Sequence, residues 1–154
     1  VIADSSTSRW LGDVYKRQQE GMAFKLMGTF RTDVLGTLFD TRVAAAWVRD
    51  VVTLLQGPPL ATHTTDVSAA LAEYGQVPPS DQRGVLAAAY TSQTSALVRT
   101  YPTLGYARLD VTSFAKPLRT PDLLALVFRH YATSNVVTKD LSRHLRNPFE
   151  EPHQ

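Results

Sequence analysis

The sequence predicts an all-α protein, a compact bundle of about five helices preceded by a disordered N-terminal segment. Apolar residues recur about every four positions in several stretches, which is the period of a helix face packed on a core. Short polar residues that cap helices, and Gly or Pro residues that end them, fall between these stretches. With 44% hydrophobic and 19% charged residues, the composition is that of a globular protein.

The first residues resemble a translated cloning sequence rather than a protein. Ser8 to Gln18 reads SRWLGDVYKRQ, and ten of these eleven residues match the translated transposase adapter used in tagmented sequencing libraries. Such segments are excluded from fold reasoning. We therefore expect residues 1–21 to be a non-native leader, and residues 22–154, beginning at Met22, to form a single helical domain.

The first predicted helix begins at a cap on Thr32 or Asp33 and ends at Gly57. Gly57 precedes two prolines, and it ends the helix because Gly tolerates the left-handed cap while Pro lacks the N–H of the next turn. The apolar stripe of this helix consists of Leu35, Phe39, Val43, Trp47, Val51 and Leu55.

Two further helices are predicted before residue 102. The second begins at Thr65–Asp66 and ends at Gly75. The third begins at a cap on Ser80 and ends at Pro102, although its polar centre, residues 91–95, is poor in strong helix formers. The apolar stripe of the third helix consists of Val85, Leu86, Ala89, Tyr90, Ala96 and Leu97.

The stretch 105–116 is compatible with two structures. Residues 106–111 half-alternate between apolar and polar, which permits a strand. Asp110 can instead cap a helical turn that ends before Pro117. We expect a loop with one turn of helix.

The last two predicted helices have the clearest start signals. Thr120-Pro121-Asp122 offers a cap, a Pro at the first helical position and an acid near the positive end of the helix dipole. Thr138 can cap a fifth helix, with Leu141 facing inward, and Asn147–Pro148 ends it.

Most kinds of chemical site lack support in the sequence. The chain has no cysteine, which excludes disulfides, thiolate catalysis and cysteine metal sites. Neither GxGxxG nor GxxxxGK[ST] occurs, and the four histidines lack metal-site spacing. We expect no cofactor and no metal, and an enzyme is less expected than a binding protein. No apolar run suits a membrane span, so we expect a cytoplasmic protein or one inside a viral particle.

The positive charge lies in the C-terminal half. Arg99 to Arg146 contains eight basic and three acidic residues, and clustered cations attract nucleic-acid phosphates. Lys139, Arg143 and Arg146 share one face of the fifth predicted helix. The alternative is that these cations form a solvated helix face. The predicted nucleic-acid-binding residues are Arg119, Thr138, Lys139, Ser142, Arg143 and Arg146.

Residues 127–146 resemble a helix-turn-helix. The stretch VVTKDLSRHLR resembles the recognition-helix end of bacterial repressors of that class. The resemblance covers some twenty residues. It implies that Asn135 occupies the turn, that Val136 and Leu141 are buried, and that Arg143 faces the DNA groove.

These observations favour a small non-enzymatic helical protein that binds nucleic acid through its basic half. It would be either a DNA-binding regulator or a protein that coats RNA or DNA in a particle. The alternative is a helical assembly or adaptor module that contacts only protein, suggested by the apolar stripe around Trp47. Either protein can form homo-oligomers, and an enzyme of unrecognised class is the third candidate.

Overall fold

The protein has an α+β fold. A computed structural model of the chain describes residues 24–76, 83–115, 120–133 and 135–140. These residues form a six-stranded antiparallel sheet, four helices and one 3₁₀ turn. The prediction of an all-α bundle is therefore wrong. The expected leader, residues 1–21, lies outside the described residues.

The sheet has the strand order β2-β3-β4-β5-β1-β6, so the first strand lies between the last two. Its strands are β1 Phe24–Arg31, β2 Ala61–Asp66, β3 Val85–Tyr90, β4 Thr94–Tyr101, β5 Tyr106–Ser113 and β6 Val136–Asp140. The helices are α1 Leu35–Leu38, α2 Thr41–Leu55, α3 Val67–Glu73 and α4 Thr120–His130, and a 3₁₀ turn spans Pro102–Leu104.

The two faces of the sheet differ in burial. Side chains of a strand point alternately to opposite faces, and buried positions alternate accordingly along β1, β3, β4 and β5. The inner face carries the buried positions and packs against α2 and α4. On the outer face, every described strand position is half-buried or exposed.

The core lies between the inner face and the two longer helices. Trp47 of α2 is 1% exposed and Val127 of α4 is equally buried. The rings of Phe30 and Tyr131 pack at a centroid distance of 5.1 Å. His130 Nε2 lies 2.7 Å from Asp50 Oδ2, which links α4 to α2. Within the described ranges, no helix has both the length and the apolar character that crossing a bilayer requires.

The third predicted helix is instead the hairpin of β3 and β4. Val-Leu-Ala-Ala-Ala-Tyr is an uninterrupted apolar run, for which helix and strand periods cannot be distinguished. In the sheet its alternate residues Val85, Ala87 and Ala89 are buried against α2. The polar residues 91–93 form the turn. Residues 106–113 form β5, so the strand alternative was correct and the expected loop was wrong.

The first predicted helix is broken near residue 40. Asp40 caps α2, since its Oδ1 accepts a 2.8 Å hydrogen bond from the Arg42 backbone N–H. The side chain and backbone of Arg42 hold the pKa of Asp40 below its usual range. Leu35 and Phe39 are exposed, whereas the later stripe residues Trp47, Val51 and Leu55 are buried as predicted.

The other predicted helices had mixed outcomes. α4 begins at Thr120, as the cap-and-proline signal predicted. α3 covers part of the second predicted helix. The predicted start differs, because Asp66 is the last residue of β2 and also caps α3. The stretch at Thr138 that should have begun a fifth helix is β6, in agreement with the strand preference of Val136-Val137-Thr138.

The buried hydroxyl of Tyr131 gives a stability test. Tyr131 is 0% exposed, its hydroxyl has no hydrogen-bond partner within the described part of the chain, and burial raises its pKa. Because an unsatisfied buried donor costs stability, Tyr131→Phe should raise the free energy of unfolding by about 1 kcal/mol in urea titration. Tyr74→Phe is the control, since Tyr74 is 80% exposed and should give no change. A destabilised Tyr131→Phe variant would show that the hydroxyl has a partner.

Candidate functional site

The predicted nucleic-acid-binding residues do not share a helix face where the structure describes them. Thr138 and Lys139 are neighbours in the edge strand β6, so they point to opposite faces of the sheet. Thr138 is half-buried beside Gly28, and Lys139 is exposed on the outer face. A helix beginning at Thr138 was therefore wrong, and the helix-turn-helix interpretation fails with it. The other predicted residues, Arg119, Ser142, Arg143 and Arg146, lie outside the described residues.

A pocket lies at one end of the sheet, around the turn that joins β3 to β4. Its volume is about 180 Å³. We call it the turn pocket. Its lining residues come from that turn, from the strand ends beside it and from the end of β5. They are Tyr90, Thr91, Ser92, Gln93, Thr94, Ser95, Thr112 and Phe114.

Hydrogen bonds fix the turn from three sides. Within it, the Thr91 backbone N–H donates to the Thr94 carbonyl oxygen at 2.8 Å. From β5, the Phe114 N–H donates to the Gln93 carbonyl oxygen at 2.9 Å. From the end of α2, the amide of Gln56 donates to Ser92 Oγ at 3.0 Å and accepts a hydrogen bond from the Thr91 hydroxyl. The backbone of the turn and the side chains of Thr91 and Ser92 are therefore held in place before any ligand arrives.

A buried pair of hydroxyls supports the pocket from the inner face of the sheet. Thr94 and Ser113 are directly opposite each other on β4 and β5, and both are at most 3% exposed. Their hydroxyl oxygens are 2.9 Å apart, so one hydroxyl donates to the other, and Ser113 Oγ also accepts from the Ala115 N–H at 3.2 Å. Because the pair is occupied, it serves to fix the strand ends. The hydroxyls of the turn itself bond to Gln56, so among the described residues those of Ser95 and Thr112 remain for a ligand.

The turn pocket is lined by hydroxyl-bearing and aromatic residues, and the surface that it exposes is mostly apolar. Six of its eight residues carry a hydroxyl, which can both donate and accept a hydrogen bond, and Gln93 adds an amide. Tyr90 and Phe114 supply aromatic surface. Ligand pockets usually measure about 300–1,000 Å³, so this one matches part of a ligand rather than a whole one. Among the described residues, no group of three or more His, Asp or Glu side chains could hold a metal ion.

The sequence analysis predicted a helix through residues 90–95 and a loop with one helical turn over residues 105–116, and therefore missed the site. One signal was present: Thr91-Ser92-Gln93-Thr94 is a short polar interruption between two apolar segments. Such an interruption is typical of a hairpin turn. Gln56 and Phe114 are distant in sequence from the turn, so their contribution to the site could be seen only once the fold was known.

Comparison with known proteins shows a similarity of fold. Neither protein-family models nor curated protein sequences match this chain. Among solved structures, the adenosylmethionine decarboxylase from Aquifex aeolicus VF5 is similar, with a TM-score of 0.58 and 11% sequence identity. The similarity covers 88% of this chain and 98% of that one. This chain therefore has the α+β fold of that protein. A helical nucleic-acid-binding protein and a helical adaptor, the two functions predicted from the sequence, are both wrong.

Proposed function

We propose that this protein binds a small polar molecule in the turn pocket, and that the molecule is adenosylmethionine or a close relative. The observation that carries the proposal is a pair of outer-face hydroxyls, Ser95 and Thr112, that lie opposite each other beside the exposed ring of Tyr90. The ligand class is suggested by the name of the structure with a similar fold.

The chemistry of adenosylmethionine complements the pocket. Its ribose hydroxyls and its carboxylate form hydrogen bonds with groups such as Ser95 and Thr112. Its purine ring can stack on an aromatic side chain, and Tyr90 is 42% exposed beside the pocket. A pocket of about 180 Å³ takes one of these groups, and the remainder of the ligand would extend over the adjoining outer face.

Removing two hydroxyls from the pocket tests this proposal. Each lost hydrogen bond to a ligand costs about 1 kcal/mol, so Ser95→Ala with Thr112→Val should weaken adenosylmethionine binding about ten-fold or more. Isothermal titration calorimetry of the full chain measures the dissociation constant. Both positions lie on the outer face, exposed or half-buried, so the double variant should keep the fold.

Thr65→Val is the matched control for Thr112→Val. Thr65 lies exposed on the same face but in β2, four residues along the strand from Ala61, which pairs with Tyr90. That separation is about 13 Å, so the control should bind like the wild type. Equal weakening in control and double variant would contradict the pocket assignment. Absence of adenosylmethionine binding to the wild type would contradict the ligand class.

Decarboxylation of the ligand is the second candidate function. It is favoured by a likeness that extends over nearly the whole length of the named decarboxylase. The test is release of labelled carbon dioxide from carboxyl-labelled adenosylmethionine by the full chain. Release that the Ser95→Ala, Thr112→Val variant abolishes would support an enzyme. Binding without release would assign the chain to ligand binding alone.

Location and assembly complete the proposal. The cytoplasm, or the interior of a viral particle, is the proposed location, and the lack of cysteine supports a reducing compartment. Homo-oligomer formation stays a prediction, and so does nucleic acid as a partner. Size-exclusion chromatography with light scattering measures the oligomeric state.

A further inference from the structure

A line of side chains crosses the outer face of the sheet, from the turn pocket to β1. The strand register places its members directly opposite one another in turn: Tyr90 with Ser95, Ser95 with Thr112, and Thr112 with Lys25. Neighbouring strands are about 4.8 Å apart, so the line spans about 14 Å from β3 to β1. The first three residues line the turn pocket, and Lys25 extends the line onto the adjoining surface.

The β3 end of this line is aromatic. The ring of Tyr90 lies beside the ring of His63 on β2, with centroids 6.2 Å apart and planes inclined by 21°. Ala61, the residue of β2 directly opposite Tyr90, has a side chain too small to cover the ring. Nearly parallel rings present a flat surface on which a purine can stack. The base of a nucleoside therefore fits at this end of the line.

The β1 end of the line carries one charge of each sign. Lys25 Nζ lies 3.9 Å from Asp110 Oδ1, and the two side chains are 28% and 30% exposed, so solvent reaches both. Asp110 is two residues from Thr112 on β5, so both side chains project from the outer face. Among the described strand residues, Asp110 is the only carboxylate on that face. A molecule that extends from the turn pocket past Thr112 therefore reaches both charges.

An amino-acid zwitterion complements an ion pair of this kind. Its carboxylate can bind the Lys25 ammonium while its own ammonium binds the Asp110 carboxylate, so each protein group gains a partner of opposite charge. Neither side chain has to be free beforehand, because the ligand brings one charge of each sign. The 3.9 Å separation also exceeds the length of a charge-assisted hydrogen bond, about 2.7–2.9 Å, so the pair leaves room for closer contacts with a ligand.

We propose that Lys25 and Asp110 bind the amino-acid group of the ligand whose nucleoside lies in the turn pocket. This inference rests on the proposed function and adds an orientation to it. The purine lies at the aromatic end of the line, the ribose lies at the hydroxyl pair, and the carboxylate lies beyond that pair, at Lys25. The inference also adds a specificity, since a nucleoside joined to an amino acid should bind more tightly than one without it.

Two uncharged-sulfur analogues of adenosylmethionine test this specificity. Adenosylhomocysteine carries an amino-acid group on its sulfur, and 5′-methylthioadenosine carries a methyl group there instead. Isothermal titration calorimetry on the full chain, at constant ionic strength, measures both dissociation constants. The charge-assisted hydrogen bonds to the zwitterion should make adenosylhomocysteine bind at least about ten-fold more tightly than 5′-methylthioadenosine.

Variants at the ion pair locate this preference. Lys25→Met and Asp110→Asn should each lower the ratio of the two dissociation constants to about three-fold or less, while the nucleoside contacts remain. Lys25→Arg keeps the charge and should keep most of the ratio. Arg49→Met is the control, because it removes a cation from an exposed position on α2, on the other side of the sheet, and should leave the ratio unchanged. A folding defect would weaken both ligands alike, so the ratio distinguishes recognition from structure.

The outcomes distinguish this inference from the proposed function. Ser95→Ala with Thr112→Val should weaken both ligands equally and keep their ratio. Equal binding of the two ligands by the wild type would overturn the assignment of Lys25 and Asp110 while nucleoside binding stands. A ratio that Lys25→Met lowers no more than Arg49→Met does would overturn it in the same way. Absence of binding of either ligand to the wild type would overturn the nucleoside pocket and this inference with it.

Discussion

Replacing Thr100 by Val is expected to lower the free energy of unfolding by about 2–4 kcal/mol. Thr100 is 0% exposed, and its hydroxyl connects two distant segments. It donates to the Leu38 carbonyl oxygen at 2.7 Å and accepts from the Val85 N–H at 2.9 Å. Valine has nearly the same shape but no hydroxyl, so both backbone groups would be left unsatisfied in the core.

Urea unfolding of Thr100→Val and Thr65→Val measures this effect. The control makes the same substitution at an exposed position and should change the free energy of unfolding by less than about 0.5 kcal/mol. If Thr100→Val were as stable as the control, the hydroxyl would not link α1 to β3.

The second large effect is expected from Gly84→Ala, with a loss of about 3 kcal/mol or more. Gly84 has a φ of +131°, which side chains rarely allow. A Cβ there would lie 2.2 Å from the Thr100 carbonyl oxygen and 2.9 Å from Pro102 Cδ. Since backbone cannot yield as a flexible side chain does, the strand would have to move. Arg99 Nη1 would also be displaced, since it lies 2.8 Å from the new carbon.

Gly36→Ala is the matched control for this substitution. Gly36 lies in α1, has no positive φ, and a Cβ there would meet nothing within 4 Å. Alanine should therefore leave stability unchanged or raise it by about 0.5–1 kcal/mol. Chemical denaturation of both variants distinguishes the effect of position from that of the residue change. Equal stability of the two variants would be inconsistent with the close approach at Gly84.

How far the sequence predicts this fold depends on how local the signals are. The end of α2 and the start of α4 followed from residues that act on their own backbone: Gly57 and the Thr120–Pro121 pair. β1 was missed because Gly28 interrupts its apolar alternation, and the strand is fixed by pairing with β5 and β6. β3 was mistaken for a helix because alanine favours helices in isolation, while tertiary packing decided the outcome.

The candidate sites were still less predictable from the sequence. The basic character of residues 99–146 was recognised, but only the pairing of β4 with β5 places Arg99 and Arg108 in register on the outer face. Residues 91–95 were recognised as a polar stretch that is poor in strong helix formers. Their position around a pocket became apparent only from the hairpin of β3 and β4. The turn pocket depends on contacts between residues far apart in the chain, which a local period cannot encode.

Binding at the turn pocket is tested most directly by nuclear magnetic resonance of the isotope-labelled full chain, titrated with adenosylmethionine. Amide resonances of residues 91–95 and of Thr112 should shift and saturate with ligand. Those of β6 residues 136–140, on the far edge of the sheet, should not. Saturable shifts confined to α4 or β6, or no shifts at millimolar ligand, would contradict the account.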